Sequence, residues 1–196
     1  MNAPRLVEAT KSVESREMTD LPFLAGSRVI LRRPEPRDAG ARLALGNDPA
    51  IMRMLGADPR DLPEMNAIAA QRWYDGLVAH PLAWTVENEG RLLGELRLDA
   101  LDRHDARAQL AIGFYDPARL GVGLGREAIR LVARHAFGAL GLHRIGLRVV
   151  AYNTRAIRCY RACGFVEEGR EREAALVAGE RHDDVVMGLL AQEFRG

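Results

Sequence analysis

Lysine is nearly missing from this 196-residue chain: Lys11 is the only one, and arginine carries the rest of the positive charge. Neither sign is in excess, with 28 basic against 27 acidic residues and a formal net charge of +1. A nucleic-acid binder needs a basic excess or a dense basic stripe to displace counterions, so no nucleic-acid partner is expected. Cysteine is scarce, Cys159 and Cys163 only, and their spacing reads as small half-buried thiols of a reducing compartment. The five histidines, His80, His104, His135, His143 and His182, are scattered without a His-x-x-x-His pair, so no metal site is expected. No apolar run approaches the roughly 20 residues of a membrane span. The first 20 residues carry Glu8, Lys11, Glu14, Arg16, Glu17 and Asp20 and lack the apolar core of a signal peptide. The expectation is a polar leader over 1–22 and one cytoplasmic domain over 23–196, long enough to bury a core.

What is present is an alternation of short strands and helices. Residues 27–32 read as a strand, ended by Pro34 and Pro36, and a helix runs from Asp38 to Leu45. Residues 51–62 mix Met, Asp and Pro as a loop or broken helix. A second helix is predicted over 63–78, with Ile68, Trp73 and Leu77 inward. Strands 83–87 and 91–99 are joined by Asn88-Glu89-Gly90, a hairpin signal, with another turn over 101–105 and a strand over 107–115. A long helix over 124–137 shows Ile129, Val132, Ala133 and Ala136 at helical spacing. Strand 143–150, helix 154–163 with Gly164 as its left-handed cap, and strands 165–177 and 181–190 complete the chain. The central strand–helix–strand predicts a right-handed parallel crossover.

Two segments carry chemistry. Residues 119–128, RLGVGLGREA, set Gly121, Gly123 and Gly125 between a strand and a helix mouth. Unpaired first-turn amides and the helix dipole attract an anion there, and missing Cβ atoms let a pyrophosphate approach. Gly123-x-Gly125-x-x-Ala128 also fits a dinucleotide fingerprint. That reading needs an acidic residue about 20 positions on, and residues 147–153 hold none. No Gly-Lys-Ser/Thr follows for a P-loop. In the second segment, 152–165, YNTRAIRCYRACGF, Asn153 is placed to cap a helix. Tyr160 returns to the face of Asn153 two turns later, with Ala156 between them.

Together these segments, with LHRIGLRV at 142–149 between them, resemble the GNAT superfamily of N-acetyltransferases over residues 27–190. The closing stretch at 170–190 is similar to the RimJ/RimL-type branch. The resemblance implies a single α/β (α+β) domain. Its mixed, mostly antiparallel sheet of about seven strands is flanked by about four helices. The sheet splays between its fourth and fifth strands, here 107–115 and 143–150, and acetyl-CoA lies in the V. It implies Tyr160 as general acid to the departing thiolate. Ala111, Ile112, Gly113 and Phe114 would pair with the pantetheine arm. Gly121, Val122, Gly123, Leu124, Gly125 and Arg126 would hold the pyrophosphate, with Asn153 and Ala156 beside the arm.

Many relatives carry Glu where this chain has Ala111, which leaves the general base unassigned. Glu95 is the first substitute: it shares a strand face with Arg97 and Asp99, a face that is either turned to the acceptor or solvated. The implied acceptor is a protein or peptide N-terminal α-amine. A small cationic amine, an aminoglycoside or polyamine, is the alternative, for which Asp58, Asp61, Glu64, Asp99, Asp102 and Asp105 would supply carboxylates. A non-catalytic acyl-CoA-binding module is the third reading. The closing hairpin offers an edge for a homodimer.

Overall fold

The computed structural model describes residues 21–196. The expected leader lies outside them save for Leu21 and Pro22, and the Pro22 carbonyl accepts a hydrogen bond from the Trp84 indole N–H at 2.9 Å. In chain order the elements are β1 (Leu24–Ala25), β2 (Ile30–Arg32), α1 (Arg37–Leu45), α2 (Pro49–Met54), α3 (Ala67–Ala79), β3 (Ala83–Asn88) and β4 (Arg91–Asp102). There follow β5 (Arg107–Phe114), α4 (Leu124–Gly138), β6 (Arg144–Val150), α5 (Thr154–Ala162), β7 (Val166–Val177) and β8 (Glu180–Leu190). The strands form one sheet in the order β1-β2-β3-β4-β5-β6-β8-β7. Against the expected seven strands and four helices, the additions are the two-residue β1 and the short α2.

Local chemistry sets the boundaries. Asp48 caps α2 by accepting from the Ile51 amide at 2.9 Å, and Pro49 opens the helix. A 3-10 turn at Pro59–Asp61 follows, so 51–62 is a broken helix. Asn66 caps α3 by accepting from the Ala69 amide, which starts that helix at Ala67 rather than 63. Ala70 and Leu77 then face the sheet, and Ile68, 64% exposed, lies on the opposite side, contrary to expectation. β4 extends to Asp102, past the expected end at Asp99, with a register shift between Asp99 and Asp102, and the turn expected at 101–105 falls at 103–106.

The core forms where α4 lies on the sheet. Ala128, Ile129, Val132, Ala133 and Ala136 are buried in one cluster with Leu96, Leu98, Ile145, Leu147 and Met187. On the other face, buried Asp38 of α1 accepts two bonds from the Arg32 guanidinium, at 2.8 and 2.9 Å, and one from the Thr85 hydroxyl. Arg32 also donates to Glu87, so one ionic network ties α1 to β2 and β3.

Among the described strands, β5 and β6 are the only parallel neighbours, and α4 is their crossover. They pair at just three positions, Arg107 with Arg144, Ala108 with Ile145 and Gln109 with Gly146. Beyond Gln109 they part, while β6 stays paired to β8 along its whole length and β5 stays on β4. A wedge therefore opens between Leu110–Phe114 on one side and Leu147–Val150 on the other, as the splayed sheet requires.

Candidate active site

β5 forms one wall of the wedge. The Tyr115 amide donates to the Leu93 carbonyl, and Gly113 and Ala111 pair with Glu95 and Arg97. Backbone groups alternate sides along a strand, so Ala111 and Gly113 spend theirs on β4. Ile112 and Phe114 turn their N–H and C=O groups into the wedge, where no described strand answers them. Glycine is required for this fit at Gly94, because a Cβ there would stand 1.8 Å from the Gly113 carbonyl oxygen.

α4 closes the wide end. Gly123, its N-cap, is left-handed (φ 89°) and offers no side chain to the first-turn amides. By contrast α2, α3 and α5 are capped by Asp48, Asn66 and Asn153. The uncapped turn of a 15-residue helix leaves donors and a positive dipole end facing the cavity. Opposite stands α5. Asn153 is fully used there: its carbonyl oxygen caps the helix at the Ala156 amide (3.1 Å), and its amide donates to the Met54 carbonyl at 2.9 Å. That second bond brings α2 over the wedge, helped by the Tyr152 hydroxyl donating to the Arg53 carbonyl.

These walls enclose a cavity of about 670 Å³. Among the expected residues it is lined by Ile112, Phe114, Gly121, Val122, Gly123, Gly125, Arg126, Asn153, Ala156 and Tyr160. Ala111 and Gly113 do not line it, being turned to β4, and the Leu124 side chain is buried in the core at 4% exposure. The expectation missed Ile51 and Met54 of α2 and its C-cap Leu55, a segment that the Asn153 and Tyr152 bonds hold near the cavity. It also missed Arg155, Arg158, Cys159 and Ala162 of α5, none of which is three or four residues from Tyr160, so helical spacing from that residue did not point to them.

Tyr160 presents a half-buried ring, edged by Phe165 at 5.9 Å, and its hydroxyl has no hydrogen-bond partner among the described residues. Burial, with the Cys159 and Cys163 thiols close by, pushes the phenol above its ordinary pKa, so it stays protonated at neutral pH. Cys163 shares a hydrogen bond with Cys159, which holds the Cys159 thiol below its usual pKa.

Glu95 lies outside this lining. It is buried beneath Gly113, accepting from the Tyr115 hydroxyl at 2.7 Å and the Trp73 indole at 3.1 Å, and burial raises its pKa. The solvated alternative for this residue is thereby excluded. Arg42 stacks on the Tyr115 ring at 3.8 Å. Most of the acidic side chains considered for a cationic acceptor are already paired. Asp58 meets Arg60 at 2.9 Å, Asp99 meets His80 and Arg97, and Asp102 and Asp105 share Arg107. Asp61 and Glu64 are exposed. No group of three His, Cys, Asp or Glu side chains able to hold a metal occurs among the described residues. No described helix is long and apolar enough to cross a membrane.

Known proteins of the same construction agree with this geometry. The chain is 27% identical over 109 residues to the SPbeta prophage-derived uncharacterized N-acetyltransferase YokL of Bacillus subtilis (strain 168), covering 56% of this chain and 61% of that one. It thus spans less than two thirds of that relative's length. It is 29% identical over 138 residues to the putative ribosomal N-acetyltransferase YdaF of the same organism, covering 70% and 67%. The crystal structure of spermidine N-acetyltransferase from Vibrio cholerae, in complex with CoA and spermine, superposes with a TM-score of 0.72 at 26% identity, covering 86% and 98%. The acetyltransferase (GNAT) domain family matches residues 28–166. With the V between β5 and β6, the uncapped glycine turn and Tyr160 around one cavity, the chain belongs to the GNAT acetyltransferase family.

Proposed function

We propose that this chain is a cytoplasmic enzyme that transfers the acetyl group of acetyl-CoA to a primary amine. The observation that carries the reading is that three features meet in one cavity: unpaired β5 backbone at Ile112 and Phe114, uncapped amides from Gly121 to Arg126, and the unpartnered Tyr160 hydroxyl. The uncapped turn suits a pyrophosphate, and the β5 edge suits the amide-bearing pantetheine arm as a short extra strand. Acetyl-CoA supplies the thioester when bound.

Within the cavity, a β5 N–H is placed to steady the oxyanion that forms when the amine attacks the carbonyl carbon. The C–N bond forms, the C–S bond breaks, and Tyr160 gives its proton to the leaving sulfur. The amine must arrive neutral, and its proton leaves through water, since the Ala111 position has no carboxylate. Glu95 touches no part of the lining. Its role in this reading is to hold Tyr115 and the backbone of Gly113 in place, a positioning role rather than that of the base.

The acceptor we propose is a protein or peptide N-terminal α-amine, in line with the RimJ/RimL-type branch and the ribosomal description of YdaF. The pairing of Asp58, Asp99, Asp102 and Asp105 with basic side chains supports this over a polycation. The likeness to a spermidine N-acetyltransferase favours a second reading, a small cationic amine. The exposed outer edge of β7 is where a second copy would pair.

The test is acceptor-dependent release of the CoA thiol with peptides, polyamines and aminoglycosides. Release with peptides alone supports the first reading, and release with polyamines or aminoglycosides alone establishes the second. Binding of acetyl-CoA without release by any acceptor would make the chain an acyl-CoA-binding module.

A further inference from the structure

We infer that Arg155 and Arg158 of α5, with Arg126 of α4, form the subsite that reads the 3′-phosphate of coenzyme A. The inference rests on the acetyl-CoA reading of the cavity and assigns residues that reading leaves idle.

The pyrophosphate is held at the mouth of α4 and the pantetheine arm runs inward along β5 toward Tyr160. The nucleoside end must therefore leave the cavity outward, past the first turn of α4 and the exposed side of α5. Arg155, Arg158 and Ala162 follow one another at helical spacing on that side and all line the cavity, with Cys159 among them. Two guanidinium groups thus stand beside two small side chains, which leave room for a nucleotide against the helix.

The charges on this face are left unspent. Arg161, one residue along the helix from Tyr160, points elsewhere and is paired with Glu167 at 2.8 Å. Arg155, Arg158 and Arg126 make no ion pair with a carboxylate among the described residues, and Arg158 reaches only the Thr154 hydroxyl, at 3.4 Å. Arg119, the other arginine in the lining, is taken up by Asn88 and Glu89. No carboxylate among the described residues lines the cavity. A phosphate monoester carries the charge and the acceptor oxygens that guanidinium forks bind in pairs.

A second groove competes for the same group. It lies on the far side of α4, lined by Arg28, Arg130 and Arg134, and touches the first at Gly123 and Arg126. There Arg28 is bound to Glu127 and Arg130 donates to the Arg195 carbonyl, so less free charge remains.

The experiment compares binding of coenzyme A and 3′-dephospho-coenzyme A by calorimetry, in the native chain, in Arg155→Gln/Arg158→Gln and in Arg130→Gln/Arg134→Gln. The native chain should prefer coenzyme A by about tenfold or more, as expected of charge-assisted bonds at an open site. The α5 double variant should bring that ratio close to one without weakening the dephospho form, and the α4 variant should leave it unchanged. Equal binding of both ligands by the native chain, or loss of the preference only in the α4 variant, overturns the inference. Binding of neither ligand by the native chain would instead remove the acetyl-CoA reading beneath it. All four side chains are at the surface or half-buried, and unchanged circular dichroism checks that each variant folds.

Discussion

At the residue scale, Tyr160 is defined by what surrounds its hydroxyl. Burial and the nearby thiols disfavour the phenolate, and no described group holds the proton. Such a phenol keeps its proton across the pH range in which an amine is neutral, the state the proposed proton donor needs. Tyr160→Phe should lower turnover by about 100-fold or more while leaving the affinity for coenzyme A within about twofold, measured by thiol release and calorimetry. Because the phenol is shifted upward, the native rate should not fall through the usual tyrosine pKa of about 10. A native loss of rate centred there would assign the ionisation to a less shielded group. Tyr160 was legible because its place in the segment 153–165 depends on helical spacing. The burial of Glu95 was not: period-two alternation put it on a face with Arg97 and Asp99, but the covering of that face by Trp73 and Tyr115 is a tertiary event.

At the scale of elements, backbone conformation and buried charge decide stability. The α4 mouth works because Gly123 is left-handed, and a Cβ there would come within 3.1 Å of the Arg28 guanidinium. Gly123→Ala should cost about 1–2 kcal/mol of stability from the backbone alone. It should also weaken coenzyme A binding, both read from urea unfolding and calorimetry. The network joining α1 to β2 and β3 is a second case. Burial alone would raise the pKa of Asp38, but the Arg32 guanidinium, the Glu35 amide and the Thr85 hydroxyl outweigh it and hold the carboxyl below its ordinary value. A carboxyl depressed in the folded state stabilises above its unfolded pKa, and that contribution is lost as pH falls through the folded value. Asp38→Asn should therefore cost about 1.5–3 kcal/mol near neutrality, because Arg32 loses one charged partner and keeps Glu87. The variant should also lose less stability than the native chain below about pH 4, followed by denaturant midpoints.

For the whole molecule the cleft is one binding event with a thermal signature. Acetyl-CoA at about 100 times its dissociation constant should add about 2.7 kcal/mol. In a chain of this size that is a rise in melting temperature of roughly 5–10 °C, with none from NAD. A rise with NAD and none with acetyl-CoA would return the glycine loop to a dinucleotide reading. The same scale separates local from distant information. Strand and helix order, the crossover, the caps at Asn153 and Gly164 and the glycine turn were all written in the sequence, because each depends on side-chain periodicity or on backbone freedom within a few residues. Tertiary structure alone decided that β5 and β6 part after Gln109, that α2 is drawn over the wedge by Asn153 and Tyr152, and that Glu95 is sealed beneath Gly113. It also decided that Arg155 and Arg158 face the cavity while Arg161 finds Glu167. Those outcomes depend on which groups far apart in the chain satisfy one another's hydrogen bonds and charges. Local spacing carries no record of that choice until the sheet has closed.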